Sequence, residues 1–459
     1  MNDVVALSRI QFSFHTCFHY LFPPISIGLG LMLVIMEGMY LKTKKQKYKE
    51  MTHFWIRIFS LVFAMGVGTG LVQTFAFGTN WSKYSRFVGD VFGSALAAEG
   101  IFAFFLEAGF LGVLLFGWER VGPKLHYFAN ICVCLGAHFS AVWIIVANSW
   151  MQTPAGYRLE ETASGTRAVV SDFWEVVFNP STLDRLTHVI LACWITGAFF
   201  VISVSAYYML KKRHLAIARS MMRLGLIVAV TALALQLLSG DSSARLIAKF
   251  QPAKLAAFEG IYETAPSTPI SVFGWVDVKS QEVHSLKLPG ALSFLTYRDF
   301  TTPVAGLDQI PRDEWPNVAF VFQTYHLMVM MWTLMASIAI LGLIYWKKKK
   351  LARTKWLLWL MIFSVLLPHI AQQAGWISTE VGRQPWIVWK LLRTSEGVST
   401  SIQPGQVQGS LLMFTVIYLL LFSLFLFLLD RKIKDGPEVL PSKYGDLIYR
   451  NLLKKTHHA

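Results

Sequence analysis

Nine stretches of this chain are long and apolar enough to cross the hydrocarbon core of a bilayer: residues 12–40, 54–77, 91–118, 125–151, 186–210, 221–238, 318–346, 356–377 and 411–429. That core is roughly 30 Å thick. Backbone groups cannot go unpaired in lipid, and apolar runs of this length without alternation of period two are helices, not barrel strands. The sequence therefore predicts an all-α integral membrane protein with nine transmembrane helices. Its composition agrees: 54% hydrophobic against 15% charged residues, with a mean hydropathy of +0.47, excludes a soluble enzyme. The net charge of +15 does not point to nucleic acid, because Lys and Arg fall in short clusters between apolar runs, where they meet anionic lipid headgroups. Cys17, Cys132, Cys134 and Cys193 all lie inside apolar runs, and no CxxC pair offers a metal site. Redox chemistry in this chain would need a cofactor.

The basic connections Lys42–Lys49, Lys211–Arg219 and Lys347–Lys355 and the basic tail from Arg431 fall on one side by alternation, and the positive-inside rule makes that side cytoplasmic. An odd number of spans then puts the N-terminus outside (extracytoplasmic) and the C-terminus in the cytoplasm. Met1–Ile10 has no basic leader or small-residue cleavage site, so the first helix is retained. Residues 240–316, rich in Pro, Thr, Ser, Asp and Lys, form an outer segment too long for an ordinary connection and are read as functional.

Carboxylates and imidazoles at membrane depth are costly unless paired, neutralised or facing a cavity, so each one asks for a function. His15 and His19 lie one turn apart on the first span; Glu99 and Glu107 lie roughly 12 Å apart on the third at 1.5 Å per residue. His188 on the fifth span and Met328 on the seventh start at similar outer depth. Imidazole with thioether is the axial pair of a six-coordinate, electron-transferring haem. Taken singly, such a His serves equally well as interhelical glue and such a Met as core filler. The helix directions place His19, Glu99, His188, Met328 and Glu380 toward the outer half and Glu107 in the inner half, where it suits a proton relay from inside or a neutral, hydrogen-bonded acid.

The segment Gly375-Trp376-Ile377-Ser378-Thr379-Glu380-Val381-Gly382-Arg383-Gln384-Pro385-Trp386 resembles the GWxxxExGRQPW signature of cytochrome bd quinol oxidase subunit I. The resemblance extends to Ser8-Arg9-Ile10-Gln11-Phe12 with His19, to Ala98-Glu99-Gly100, to Phe104-Phe105-Leu106-Glu107 and to Val146–Gln152, and so covers nearly the whole chain as one polytopic domain. It implies three haems: a low-spin b-type haem ligated by His188 and Met328, and a high-spin pair, one b-type and one d-type, with His19 and Glu380 as proximal ligands. Which of these two holds which haem stays open. Glu99 would stand near the pair, Arg9 and Arg383 would meet propionates or form structural ion pairs, and Trp376 and Trp386 would pack around the haems or serve as interface aromatics. Gln251–Glu259 resembles the quinol-loop motif, which assigns Lys254 and Glu259 to quinol; Gly240-Asp241 fits the same pattern as the end of the sixth helix, or as ordinary capping. The loop has the short form, without the long insertion.

Three positions depart from the family pattern. His326 stands where an Arg is expected two residues before the Met ligand, and Ala108 replaces a Ser after the relay Glu, leaving Ser140 and water for that part of the path. His15 matches no family role and reads as structural.

The expected function is the haem-bearing subunit of a bacterial respiratory terminal oxidase in the cytoplasmic membrane. It would oxidise quinol outside and reduce dioxygen to water with protons from inside, generating proton-motive force without a pump. The implied partners are a homologous membrane subunit II and a very small single-helix subunit. The rivals are a cyanide-insensitive relative with b-type haems only and a proton-coupled transporter.

Overall fold

The computed structural model describes residues 3–163 and 165–438. The part of the basic tail beyond Glu438 lies outside them. In chain order the helices are α1 (Val4–His19), α2 (Pro23–Thr43), α3 (Gln46–Asn80), α4 (Ser82–Phe87), α5 (Gly89–Glu99), a π-helical segment (Gly100–Phe104), α6 (Phe105–Phe116), α7 (Pro123–Gln152), α8 (Phe173–Val177), α9 (Thr182–Leu210), α10 (Leu215–Phe250), α11 (Pro252–Glu259), α12 (Ala291–Tyr297), α13 (Val318–Lys347), α14 (Lys355–Phe363), α15 (Leu366–Val381), α16 (Thr394–Gly397) and α17 (Pro404–Asp435). Among the described residues, eight helical stretches have the length and apolarity of a membrane span; one is Val4–Thr43, and another, Lys355–Val381, joins α14 to α15. The expected third span is divided instead into α5, the π segment and α6, of which Phe105–Phe116 is apolar but short. Three antiparallel hairpins, including β1 (Tyr157–Thr162) with β2 (Gly165–Val170) and β3 (Ile270–Asp277) with β4 (Glu282–Leu288), occupy connections.

Two helix boundaries differ from the sequence expectation. The first run is interrupted at Tyr20–Phe22, because Pro23 and Pro24 donate no amide to the preceding turn and open a second helix instead. His19 is thereby left in the last turn of α1. At the other end of the chain's first half, α10 does not stop at Gly240. A lone Gly costs a helix only about 1 kcal/mol, and Asp241 is held by Arg245 one turn on and by Arg298 next to α12. The helix runs on to Phe250, lifting the outer segment away from the apolar bundle.

The bundle is centred on α2 and α9. In the most apolar window of α9, 78% of residues are buried, against 11% for α17, which lies outermost. Small residues set the closest approach: a Cβ added to Gly28 would come 2.2 Å from the Cys193 carbonyl oxygen, and one on Gly197 2.4 Å from the Gly28 carbonyl carbon. With no hydrophobic effect between helices in lipid, such backbone contact is a main source of association. One end of the bundle gathers the basic connections: Lys47 Nζ donates to Ser220 Oγ (3.0 Å), Tyr208 Oη to the Ile433 carbonyl (2.7 Å), and Arg57 pairs with Glu438. The opposite end carries α11, α12 and the β3–β4 hairpin. These form a small ordered cap in which Phe258 stacks on Tyr325 of α13 at 4.6 Å and Tyr262, Leu307 and Val321 are buried.

Gly197→Val should drive the α2 and α9 backbones apart at a cost of about 1–3 kcal/mol or more. Gly78→Ala, where an added Cβ meets nothing within 4 Å, is the control. Thermal melting in detergent checks this: the first variant loses stability and the second does not.

Candidate haem and proton sites

The conspicuous twelve-residue segment builds a turn at the cap end of the bundle. α15 ends at Val381, the chain reverses through Gly382–Pro385 with a cis Gln384–Pro385 bond, and a short strand begins at Trp386. Gly382 is required because a Cβ there would lie 2.6 Å from the Ser378 carbonyl oxygen and 2.9 Å from Cγ of Lys254, whose stem passes beneath. Glu380 Oε1 accepts from Asn148 Nδ2 (3.2 Å) and Gln152 Nε2 (3.1 Å), one turn apart on α7, and Oε2 accepts from Arg383 Nη2 (2.5 Å). Arg185 of α9 donates to Asn148 and lies 5.7 Å from the Trp376 ring, which also packs edge-on against Tyr20. Lys254 Nζ donates to Gln152 and Gln251, each at 2.5 Å.

Two guanidinium groups and an ammonium thus converge on one carboxylate. Burial, followed by the charges of Arg185 and Arg383, pulls Lys254 well below its ordinary range. Buried Arg383 Nη1, Arg185 Nε and Trp386 Nε1 have no hydrogen-bond partner in the protein. A buried N–H without an acceptor is costly, and an excess of cations calls for an anion. The donor set therefore fits haem propionates. Arg9 is exposed on α1, and no hydrogen bond or ion pair among the described residues joins it to this cluster.

Each of the two candidate imidazoles is held at Nδ1 by a hydroxyl group. Thr69 Oγ1 spends its proton on the Met65 carbonyl (2.8 Å), so it accepts from His19 Nδ1–H (2.9 Å), which leaves the Nε2 lone pair free. Gly70 makes room for that ring, since an added Cβ would stand 3.2 Å from His19 Cε1. His188 Nδ1 is held by Ser239 Oγ at 3.1 Å. Met328 Sδ passes α15 at Gly375, where an added Cβ would come within 2.8 Å, while Gln372 of the same helix donates to Thr196 of α9. α15 thus lies between the helices of the expected axial pair. His326 is not a competing ligand: its Nδ1 faces the Phe322 carbonyl (2.8 Å), its Nε2 the Ser271 carbonyl of β3 (2.6 Å), and Phe322 stacks on the ring. It fastens the outer hairpin to α13. His15 meets Tyr418 Oη at 2.9 Å with its ring edge-on to Phe414, a structural role as expected.

Glu99 and Glu107 sit on opposite sides of the π segment. Eight residues along a straight α-helix leave two side chains about 80° out of line. A π turn holds an extra residue and removes most of that offset. Both carboxylates consequently face α7: Glu99 Oε1 accepts from Ser140 Oγ at 2.6 Å, and Glu107 packs over Gly136, one turn away, whose added Cβ would stand 2.5 Å from its Cγ. Ser140 therefore serves Glu99 in this structure, and Gly136 makes the space for Glu107.

Lys254 and Glu259 are both buried, at 1% and 4% exposure, and they face different ways. Lys254 points down to the Glu380 cluster. Glu259 accepts from the Ser271 N–H (3.1 Å) and the Tyr325 hydroxyl, and burial pushes its carboxyl up to about 7 against those two hydrogen bonds. The structure does not bring them together around one open space. Sequence reasoning missed Arg185, since an Arg in the first turn of a membrane helix reads as an interfacial anchor. Gln152 carried no signal beyond its place in the Val146–Gln152 string.

Among the described residues no three His, Cys, Asp or Glu side chains gather as a bare metal site. Ligands placed singly on separate helices suit haem. Residues 7–437 match the sequence family described as cytochrome bd terminal oxidase subunit I. Cytochrome bd ubiquinol oxidase subunit 1 of Bacillus subtilis (strain 168) is 40% identical over 95% of both chains. Cytochrome bd-II ubiquinol oxidase subunit 1 of Escherichia coli (strain K12) is 33% identical over 96% of this chain and 99% of its own. A solved bd oxidase chain from Geobacillus thermodenitrificans superposes with a TM-score of 0.87 at 31% identity, covering 95% of this chain and all of that one. Sequence, fold and the haem-suited donor set agree that this chain belongs to the cytochrome bd terminal oxidase subunit I family, the haem-containing membrane subunit of terminal quinol oxidases.

Proposed function

We propose that this chain oxidises quinol at the outer face of the bacterial cytoplasmic membrane and reduces dioxygen to water with protons drawn from the cytoplasm. Charge separation, not pumping, then generates the proton-motive force. The observation that carries this reading is His19: a ring whose Nδ1–H is committed to Thr69, beside a helix thinned at Gly70, presents Nε2 as a ligand. Counting α5, the π segment and α6 as one span gives nine, with the N-terminus outside and the basic end of the bundle in the cytoplasm.

Three haems would supply one-electron transfer and dioxygen reduction: His188 and Met328 would hold a low-spin b-type haem, and His19 and Glu380 a high-spin pair, one b-type and one d-type. Arg383 and Arg185 would hold propionates through their unpartnered N–H groups, and Trp376 would pack beside them. Glu99 and Glu107 pass protons along α7. The segment 240–316 bears the quinol site. Lys254 and Glu259 serve it from beneath: Lys254 ties α11 to the Glu380 cluster, and Glu259 takes up a proton near neutral pH, where its carboxyl titrates. His326, in the place of an Arg, secures the loop through Ser271. A homologous subunit II completes the oxidase, with a very small single-helix subunit as a further partner. Family membership sets the transporter aside. A relative with b-type haems only remains the alternative, and a far-red d band in the reduced-minus-oxidised spectrum excludes it.

Met328→Leu keeps similar volume but offers no sulfur. The low-spin haem should lose its sharp reduced band while the high-spin features persist; an unchanged band removes Met328 as ligand. Glu107→Gln is nearly isosteric and relays no proton. It should retain all the haem and lose about 10²-fold or more in oxygen consumption, and normal turnover would sink the relay.

A further inference from the structure

Glu37 of α2 and His126 of α7 are each 2% exposed or less, outside every role assigned above. His126 Nδ1 lies 2.7 Å from Glu37 Oε1, and Asn130 Nδ2 donates to Glu37 Oε2 at 2.7 Å. The other ring nitrogen, Nε2, faces the carbonyl oxygen of Leu114 at 3.1 Å. A carbonyl only accepts, so Nε2 must carry its hydrogen. The short contact on the far side of the ring then needs a proton of its own, either on the imidazole or on the carboxyl. The pair is therefore a buried, overall neutral group that holds one transferable proton.

Its position is equally specific. Trp118 packs edge-on against His126 at 4.2 Å, and Lys49 Nζ lies 5.9 Å from the Trp118 ring, so the pair sits just inside the basic end of the bundle. Leu114, which receives His126, stands seven residues from Glu107 on α6, two turns along nearly the same face. On α7, His126, Asn130 and Cys134 follow one another at intervals of four. Cys134 lies two residues from Gly136, whose bare Cα packs against Glu107. The His126–Asn130 row faces α2, and the link to the carboxylate is the face of α6 that carries both Leu114 and Glu107.

We propose that the Glu37–His126 pair is the proton-loading site of the inward path, passing protons along the Leu114 face of α6 toward Glu107, with Asn130 as the donor that holds the second carboxylate oxygen in place. This rests on the relay reading of Glu107. In each step a proton from water at the basic face joins the pair as the pair's own proton moves on toward the Glu107 carboxyl. The pair ends with the charge it began with, and one proton is delivered for each electron that reaches dioxygen.

Turnover and its solvent isotope effect in the assembled oxidase test this in Glu37→Gln, Asn130→Leu and Glu107→Gln. Glu37→Gln and Asn130→Leu should keep the parental haem spectrum and quinol-driven reduction of the low-spin haem, while oxygen consumption falls about tenfold or more and the isotope effect in deuterated water rises. A purely structural pair would not move the isotope effect. Should Glu37→Gln fail to assemble, Asn130→Leu decides alone, because it leaves the pair in place. Parental turnover and isotope effect in Asn130→Leu, with Glu107→Gln still slow, would overturn the loading site and leave the relay standing. If Glu107→Gln is also fast, it is the relay reading that fails.

Discussion

A single half-buried carboxylate, Glu380, organises the cap end of this bundle. Its two oxygens are held by Asn148, Gln152 and Arg383, and through these it draws in Arg185 from α9 and Lys254 from α11. Removing one partner from such a set typically costs several kcal/mol, because the remaining charges stay buried. The local backbone serves the cluster: Gly382 lets Lys254 pass, and the chain reversal after α15 swings Arg383 back onto the carboxylate. The cluster also ties the outer cap to the membrane bundle through Lys254, so in the proposed function substrate handling and haem binding would share one polar core.

The groups proposed for proton transfer have a separate line of their own. It follows α7 and the face of α5–α6 made continuous by the π segment, with Glu99 at Ser140, Glu107 over Gly136 and the Glu37–His126 pair near the basic end. In the proposed function, electrons entering at the cap and protons entering at the opposite end would meet near Glu99 and the expected high-spin ligands. In the proposed function, that separation would generate a membrane potential without any moving pump element.

The spans were legible because lipid demands uninterrupted apolar helices, and the family because the GRQPW-bearing string is so specific; His19, His188, Met328 and Glu380 stand as candidates on the strength of that resemblance. What was hidden depends on contacts distant in sequence or on backbone detail. Pro23 and Pro24 lay inside one apolar run, so the break beside His19 went unread. Gly240 looked like a helix end, yet the amphipathic stretch that follows keeps α10 intact to Phe250. Nothing in residues 100–104 announces a π turn. Lys254 and Glu259 looked like solvated loop charges that could bracket a ligand; burial under their own cap turns them in different directions. Glu37 reads as an interfacial charge until His126 is seen beside it.

Glu380, with its cluster, is the proposed proximal ligand within the high-spin haem pair. Glu380→Ala tests it most directly by visible difference spectroscopy of the purified oxidase. The account predicts loss of high-spin haem, with the sharp low-spin band of the His188–Met328 haem retained. Retention of all the haem in that variant would contradict it.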